Sequence, residues 1–308
     1  DILNAGISRA SGFATTSVNL GEMQNRGIEF LLTGTPVKGP LTWEVSLNFP
    51  KNNNKVVSLI EGSDKLNVEE PRTRAVFVSH IVGKPYGTLT GLVQSRSPDG
   101  QLVFNADGAP ITDNLYYEIG SGVPDFTGGL NNSLSYKNIN LSFLIDFRAG
   151  GDIYSGTNVV MTQAGFHKQT LQGRDGEAPL TVSGVVQNGT DGNGDPIYEP
   201  FTKTLTPGEA QNYWSLLGSR ASDRFIYDAS FVKLRQVTLG YSLPRQILSK
   251  TPFQNLMVSF VGRNLSILYK NVDNIDPESS YTNSNAQGLD YFGMPATRSY
   301  GFNLRATF

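Results

Sequence analysis

The feature that rules out most folds lies at the end of the chain. Tyr300, Phe302, Leu304, Ala306 and Phe308 fall at every second position, and Ser299, Gly301, Asn303, Arg305 and Thr307 fill the positions between. A two-residue period places the first set on one face of a β-strand and the second on the other. From Tyr300 to Phe308 such a strand runs ~27 Å, and a tilt of about 40° projects this to ~21 Å. That is close to the ~25 Å apolar band of a β-barrel in a membrane, with an aromatic near each edge of the band. The spacing therefore predicts a membrane-crossing final strand whose lipid face carries Tyr300, Phe302, Leu304 and Phe308.

The same alternation recurs upstream. Trp43, Val45, Leu47 and Phe49 form one such set. Ile139, Leu141, Phe143, Ile145 and Phe147 form another, and Val237, Leu239, Tyr241 and Leu243 a third. Weaker versions cover 28–32, 126–136 and 256–264. Seven strands result, at 26–36, 41–50, 125–136, 139–148, 229–243, 254–266 and 296–308. Their connections alternate between short (37–40, 137–138, 244–253) and long (about 60–124, 149–228 and 267–295). Short turns at one end and long loops at the other are the layout of an antiparallel transmembrane β-barrel. With the C-terminus in the periplasm, the short turns are periplasmic and the long loops extracellular. Further strands have room in the long segments.

Composition agrees. Charged residues make up 17% of the chain, below the quarter typical of soluble domains. Gly is abundant and Tyr and Phe far outnumber Trp, which suits short strands joined by polar loops. No apolar run approaches the ~20 residues of a membrane helix. Seven strands fall short of the eight that a closed membrane barrel needs, and open edges in lipid are costly. The rest of the wall is therefore expected outside residues 1–308. The opening Asp1-Ile2-Leu3-Asn4, without an initiator Met, reads as a fragment or a processed product.

Several functions lose support. A net charge of −2 gives no basis for nucleic-acid binding. The chain has no Cys and only His80 and His167, so thiol chemistry and a Cys- or His-built metal site are not expected. Gly120-Ser121-Gly122 is too short for a phosphate loop and lacks its Lys. No catalytic constellation stands out, and the reading is of a protein that is not an enzyme.

An ordered set of motifs covers nearly the whole chain. Asn25-Arg26-Gly27-Ile28-Glu29 has the form N-(K/R)-G-(I/W)-E. Residues 43–55 (WEVSLNFPKNNNK) have the form W-x-(V/T)-x-(L/F)-N-(F/W)-x-x-N-x-N-K. Val82-Gly83-Lys84-Pro85-Tyr86-Gly87 follows V-G-(K/R/Q)-P-x-G. Pro124-Asp125-Phe126 leads into Gly129-Leu130-Asn131-Asn132. Residues 222–243 (SDRFIYDASFVKLRQVTLGYSL) and Gly262-Arg263-Asn264-Leu265 complete the set, with a terminal Phe. In these segments the chain resembles the SusC/RagA-type TonB-dependent transporters of the Bacteroidetes outer membrane. The resemblance implies the C-terminal part of a 22-stranded barrel, with the plug domain and first strands outside this sequence. It further implies import of oligosaccharides or peptides, energy delivered by TonB through the N-terminal part, and a SusD-like lipoprotein as an extracellular lid. The surroundings would be outer-membrane lipid and lipopolysaccharide, and Phe308 would belong to the terminal signal read during barrel assembly. Two other readings compete. One is a barrel that docks surface proteins without importing anything. The other is a soluble carbohydrate-binding β-sandwich.

Candidate ligand contacts are few. Asp146 and Arg148 fall on the polar, lumen-facing side of their strand, suited to a lumen ion pair that locks the wall or to lining the transport path, and Arg263 and Arg305 invite the same reading. Tyr213-Trp214 in the longest loop offers an aromatic platform for a sugar, against the plainer reading of loop packing. His80 and His167-Lys168 read as ordinary polar loop residues. No cofactor is required. Calcium in an extracellular loop is the one candidate, at Asp191-Gly192-Asn193-Gly194-Asp195 or at Asp107 to Asp113. The first has Thr202 where a calcium loop needs its twelfth-position Glu, and the second is diluted by Ala and Pro. A turn is the simpler account of both.

Overall fold

The computed structural model describes residues 2–6, 8–13, 15–19, 21–59, 62–69, 75–281 and 287–308. Its frame is a single seven-stranded sheet. The strands are β1 (Glu22–Val37), β2 (Leu41–Ser58), β3 (Phe126–Tyr136), β4 (Ile139–Ala149), β5 (Phe231–Ser242), β6 (Asn255–Lys270) and β7 (Ser299–Thr307). They lie in the sheet in chain order and each pairs antiparallel with the next. This is the meander that the loop alternation predicts. β1 and β2 run further than their apolar patterns. The Asn52-Asn53-Asn54 run, which reads as loop, keeps pairing with Asn25 to Gly27, because ladder hydrogen bonds are made by backbone and do not need apolar side chains.

Register decides which side chains share a face. Phe260 stands opposite Phe302, and Leu239 opposite Phe260. Leu141 stands opposite Leu239, Leu134 opposite Leu141 and Trp43 opposite Leu134. Opposed residues in an antiparallel pair lie on one face, so an apolar face runs across the wall. It is open, with Phe302 82%, Ile28 72% and Leu304 68% exposed. A soluble sandwich would bury this face beneath a second sheet. No sheet covers it among the described residues, which removes the sandwich reading. Among these residues no helix is long and apolar enough to cross a membrane.

The conventional core lies elsewhere, in the three long connections. Val76, Leu89, Phe104, Tyr154, Leu180, Trp214, Phe225 and Leu289 pack in one cluster. The connections are also joined by backbone pairing. Strand Val103–Phe104 of the first lies parallel to Thr181–Thr190 of the second, and Asp152–Ser155 of the second lies parallel to Leu289–Asp290 of the third. Two helices complete this layer. α1 (Gly156–Gln163) is capped by Ser155, whose Oγ accepts from the Asn158 N–H at 3.0 Å. α2 (Pro207–Arg220) opens on a capping box of Thr206 and Glu209. Lys203 and the Thr206 N–H hold the Glu209 carboxyl down at about 2.

The opposite end is spare. Lys137-Asn138 turns β3 into β4 with Lys137 at φ 52, and Asn138 exchanges hydrogen bonds with Ser242. The turn after β5 holds a one-turn helix, Arg245–Leu248, and Phe253 beyond it packs on Phe308 with ring centres 5.0 Å apart.

Candidate functional site

The polar face of the wall carries a charge network at its long-loop end. β5 and β4 fall out of step between Leu144 and Ile145, with Arg235 as the extra residue. A bulge of this kind re-aims a side chain. Here it leaves Lys233, Arg235 and Gln236 all on the polar side, with Val237 and Leu239 still on the apolar one. Arg235 Nε donates to Asp146 Oδ2 at 2.6 Å, and its Nη2 donates to Glu278. Lys233 Nζ reaches Asp276 Oδ1 at 2.6 Å and Glu278 Oε2 at 2.5 Å, and is itself almost fully buried. Lys233 and Arg235 also lie over the Phe231 ring. Asp276 and Glu278 belong to the 271–298 connection, so the network straps that segment across the lumen side of the wall. Burial alone would raise both carboxyls. The hydrogen bonds and charges of Lys233, joined at Glu278 by Arg235, outweigh it and hold both below their ordinary values.

Asp146 is thus paired with Arg235 on the neighbouring strand. Arg148 instead donates to the carbonyls of Gly122 and Gly150, at 2.9 and 3.4 Å. It thereby ties the end of β4 to the segment before β3. Arg263 and Arg305 form no ion pair among the described residues.

Above the strap lies a cavity of about 610 Å³ between α1, α2 and residues 271–274. Its walls include Phe166, Lys168, Tyr213, Arg224, Tyr227 and Asp273. Asn158 fixes one side. Its amide donates to the Tyr227 hydroxyl at 3.1 Å and exchanges hydrogen bonds with Asn274. Both members of the aromatic pair reach the cavity lining. Burial pushes the Tyr213 hydroxyl up. Trp214 meets Tyr213 edge to face at 4.9 Å, is 9% exposed, and spends its Nε1–H on the Gln172 carbonyl at 3.0 Å. Trp214 is therefore a core residue, the packing role weighed for it. A recess of about 650 Å³ at the rim of β2–β4 is lined by Asn54, Asp125, Asp152 and Asp228. Its polar groups mostly serve backbone: Asn54 accepts from the Tyr86 N–H, Asp152 from Ser121 and Asp228 from Ser230.

The remaining sequence candidates fall into place locally. Asp191 Oδ1 accepts the N–H groups of Asn193 and Asp195 at 2.8 and 2.9 Å, closing a hairpin turn. Asn105 does the same for Asp107 and Ala109. Among the described residues no group of three or more His, Asp or Glu could hold a metal ion. His80 overturns its reading as an ordinary polar loop residue. It is fully buried on strand Val76–Ile81, its ring tilted against Tyr86 with centres 4.6 Å apart, and neither ring nitrogen is hydrogen-bonded among the described residues. Its burial pushes the imidazole below its usual value. Tyr300 and Phe302 both pack on Phe260.

No protein-family model matches the chain. Among curated proteins, TonB-dependent receptor P3 of Formosa agariphila is 28% identical over 97% of this chain and 30% of its own length. TonB-dependent receptor SusC of Bacteroides thetaiotaomicron is 24% identical over 74% of the chain and 21% of its own length. The chain thus spans about a third or less of the relatives it matches. Among solved structures, one of the RagAB peptide transporter covers the whole chain with a TM-score of 0.66 and 20% identity, matching 32% of that chain. The RagAB peptide importer in its closed-closed state gives 0.63 and 19% over the same span. The fold, the open apolar wall and the ordered sequence likeness agree: the chain is similar to a segment of the SusC/RagA-type TonB-dependent receptors, and its strands are those of a β-barrel wall of the bacterial outer membrane.

Proposed function

We propose that this segment forms part of the wall and extracellular mouth of an importer that takes up oligosaccharides or peptides. Energy arrives through TonB, engaged by a part of the protein outside residues 1–308. A SusD-like lipoprotein closes the mouth, and lipid and lipopolysaccharide surround the wall. One observation carries the reading. A wall that is apolar outside has its long loops folded over the lumen side and strapped there by Lys233 and Arg235, which is how a guarded pore is built and is of no use to a flat membrane anchor. The outer membrane holds no nucleotide supply, so uphill import needs an external energy source. The test is uptake of labelled oligosaccharides and peptides by cells making the full receptor, with and without a working TonB. Uptake that depends on the receptor and stops without TonB supports the proposal. Unchanged uptake in a receptor-null strain sinks it and favours a docking scaffold.

A further inference from the structure

We infer that the cavity between α1, α2 and residues 271–274 is a binding site for an acidic oligosaccharide, one bearing carboxylate or sulfate groups. The inference rests on the import reading for its biological role and names the substrate class. The cavity, about 610 Å³, lies within the ~300–1,000 Å³ of small-ligand sites. It also lies on the substrate side of the wall, because Asn274 is two residues from Asp276, which Lys233 holds over the lumen.

The lining sets the chemistry. Tyr213, Tyr227 and Phe166 supply aromatic surface, which apolar sugar faces stack on. Phe166 is 79% exposed at the rim, a poor place for a large ring with no partner to cover. Tyr227 is pinned by Asn158, so this surface is ordered before a ligand arrives. Lys168 and Arg224 reach the same cavity, and neither has an ion pair among the described residues. Asp273 is the one carboxylate in the lining, leaving an excess of positive charge for an anionic group. Burial raises the Tyr213 and Tyr227 hydroxyls, so they add no competing negative charge at neutral pH.

The experiment is titration calorimetry on the purified full-length receptor with three probes: tetragalacturonate, neutral cellotetraose and tetraglutamate. Tetragalacturonate is expected to bind, more tightly than either other probe, with an affinity that falls as salt rises. The double variant Lys168→Gln/Arg224→Gln should weaken it by about tenfold or more. Asp273→Asn should strengthen it, a change of sign that loss of folding cannot imitate. Absent binding, equal binding of cellotetraose or tetraglutamate, or an unaltered double variant would each overturn the assignment. Binding to purified receptor does not involve TonB. Tetragalacturonate binding with TonB-independent uptake would remove the import reading and leave the site. TonB-dependent uptake without such binding would do the reverse.

Discussion

Lys233 shows how much one side chain carries in this protein. It is a buried ammonium whose charge is met by Asp276 and Glu278. A buried ion pair is worth little against an apolar replacement of both partners, but removing one partner strands the other. Lys233→Ala is therefore expected to cost about 3–5 kcal/mol, and adding Asp276→Asn should restore part of it. Urea unfolding of the full receptor in lipid vesicles measures both, and equal costs for single and double variants would contradict the pairing. On the apolar face the residue to test is Phe302, 82% exposed. Phe302→Arg should cost about 2–4 kcal/mol near the bilayer midplane, and Asn303→Arg a small part of that, since Asn303 faces the lumen. Similar costs at both positions would refute the orientation. Which residues share the exposed apolar face was legible from alternation alone. The partner of Asp146 was not, because Arg235 lies 89 residues away and reaches it only through a bulge.

At the scale of elements, the strap over 271–298 should respond to acid. The folded-state values of Asp276 and Glu278 lie below 3.8 and 4.5, their ordinary values. A carboxyl depressed on folding stabilises fully above its unfolded value and loses that contribution as pH falls through the folded one. The strap is thus expected to hold at neutral pH and loosen progressively below about pH 4.5. A nitroxide at Ser280 should gain mobility over that range. In an Asp276→Asn/Glu278→Gln receptor it should be mobile already at pH 7, with little further change on acidification. The helices show the complementary limit of sequence reading. Thr206 and Glu209 give α2 a start that spacing can reveal. The burial of Trp214 depends on Leu180 and Phe225 arriving from separate stretches, and no local pattern records that meeting.

At the scale of the molecule, the wall has two free edges among the described residues, β1 and β7. In hydrocarbon each would expose a row of unpaired backbone groups at several kcal/mol apiece. The chain matches about three tenths of the length of a TonB-dependent receptor, and we expect the remainder of such a receptor to close the wall. The full receptor is expected to run as a heat-modifiable band in detergent gels, folded when unheated and shifted when boiled. Residues 1–308 expressed alone should show no such shift, and a heat-modifiable band from them would mean that these strands close by themselves.

The sequence by itself determined the wall. A two-residue period needs no tertiary information, because each strand declares its two faces and the loop lengths declare the meander. It also determined the kinship, through motifs spread along the chain. Only the tertiary structure decided what the long connections do. Their apolar residues follow no single period, since they belong to short strands and helices from three different loops that bury surface jointly. The same holds for the charge network and for the cavity with Lys168 and Arg224, each assembled from segments far apart in the chain. Such sites exist only once the loops have folded on one another, and so they are written in contacts rather than in spacing.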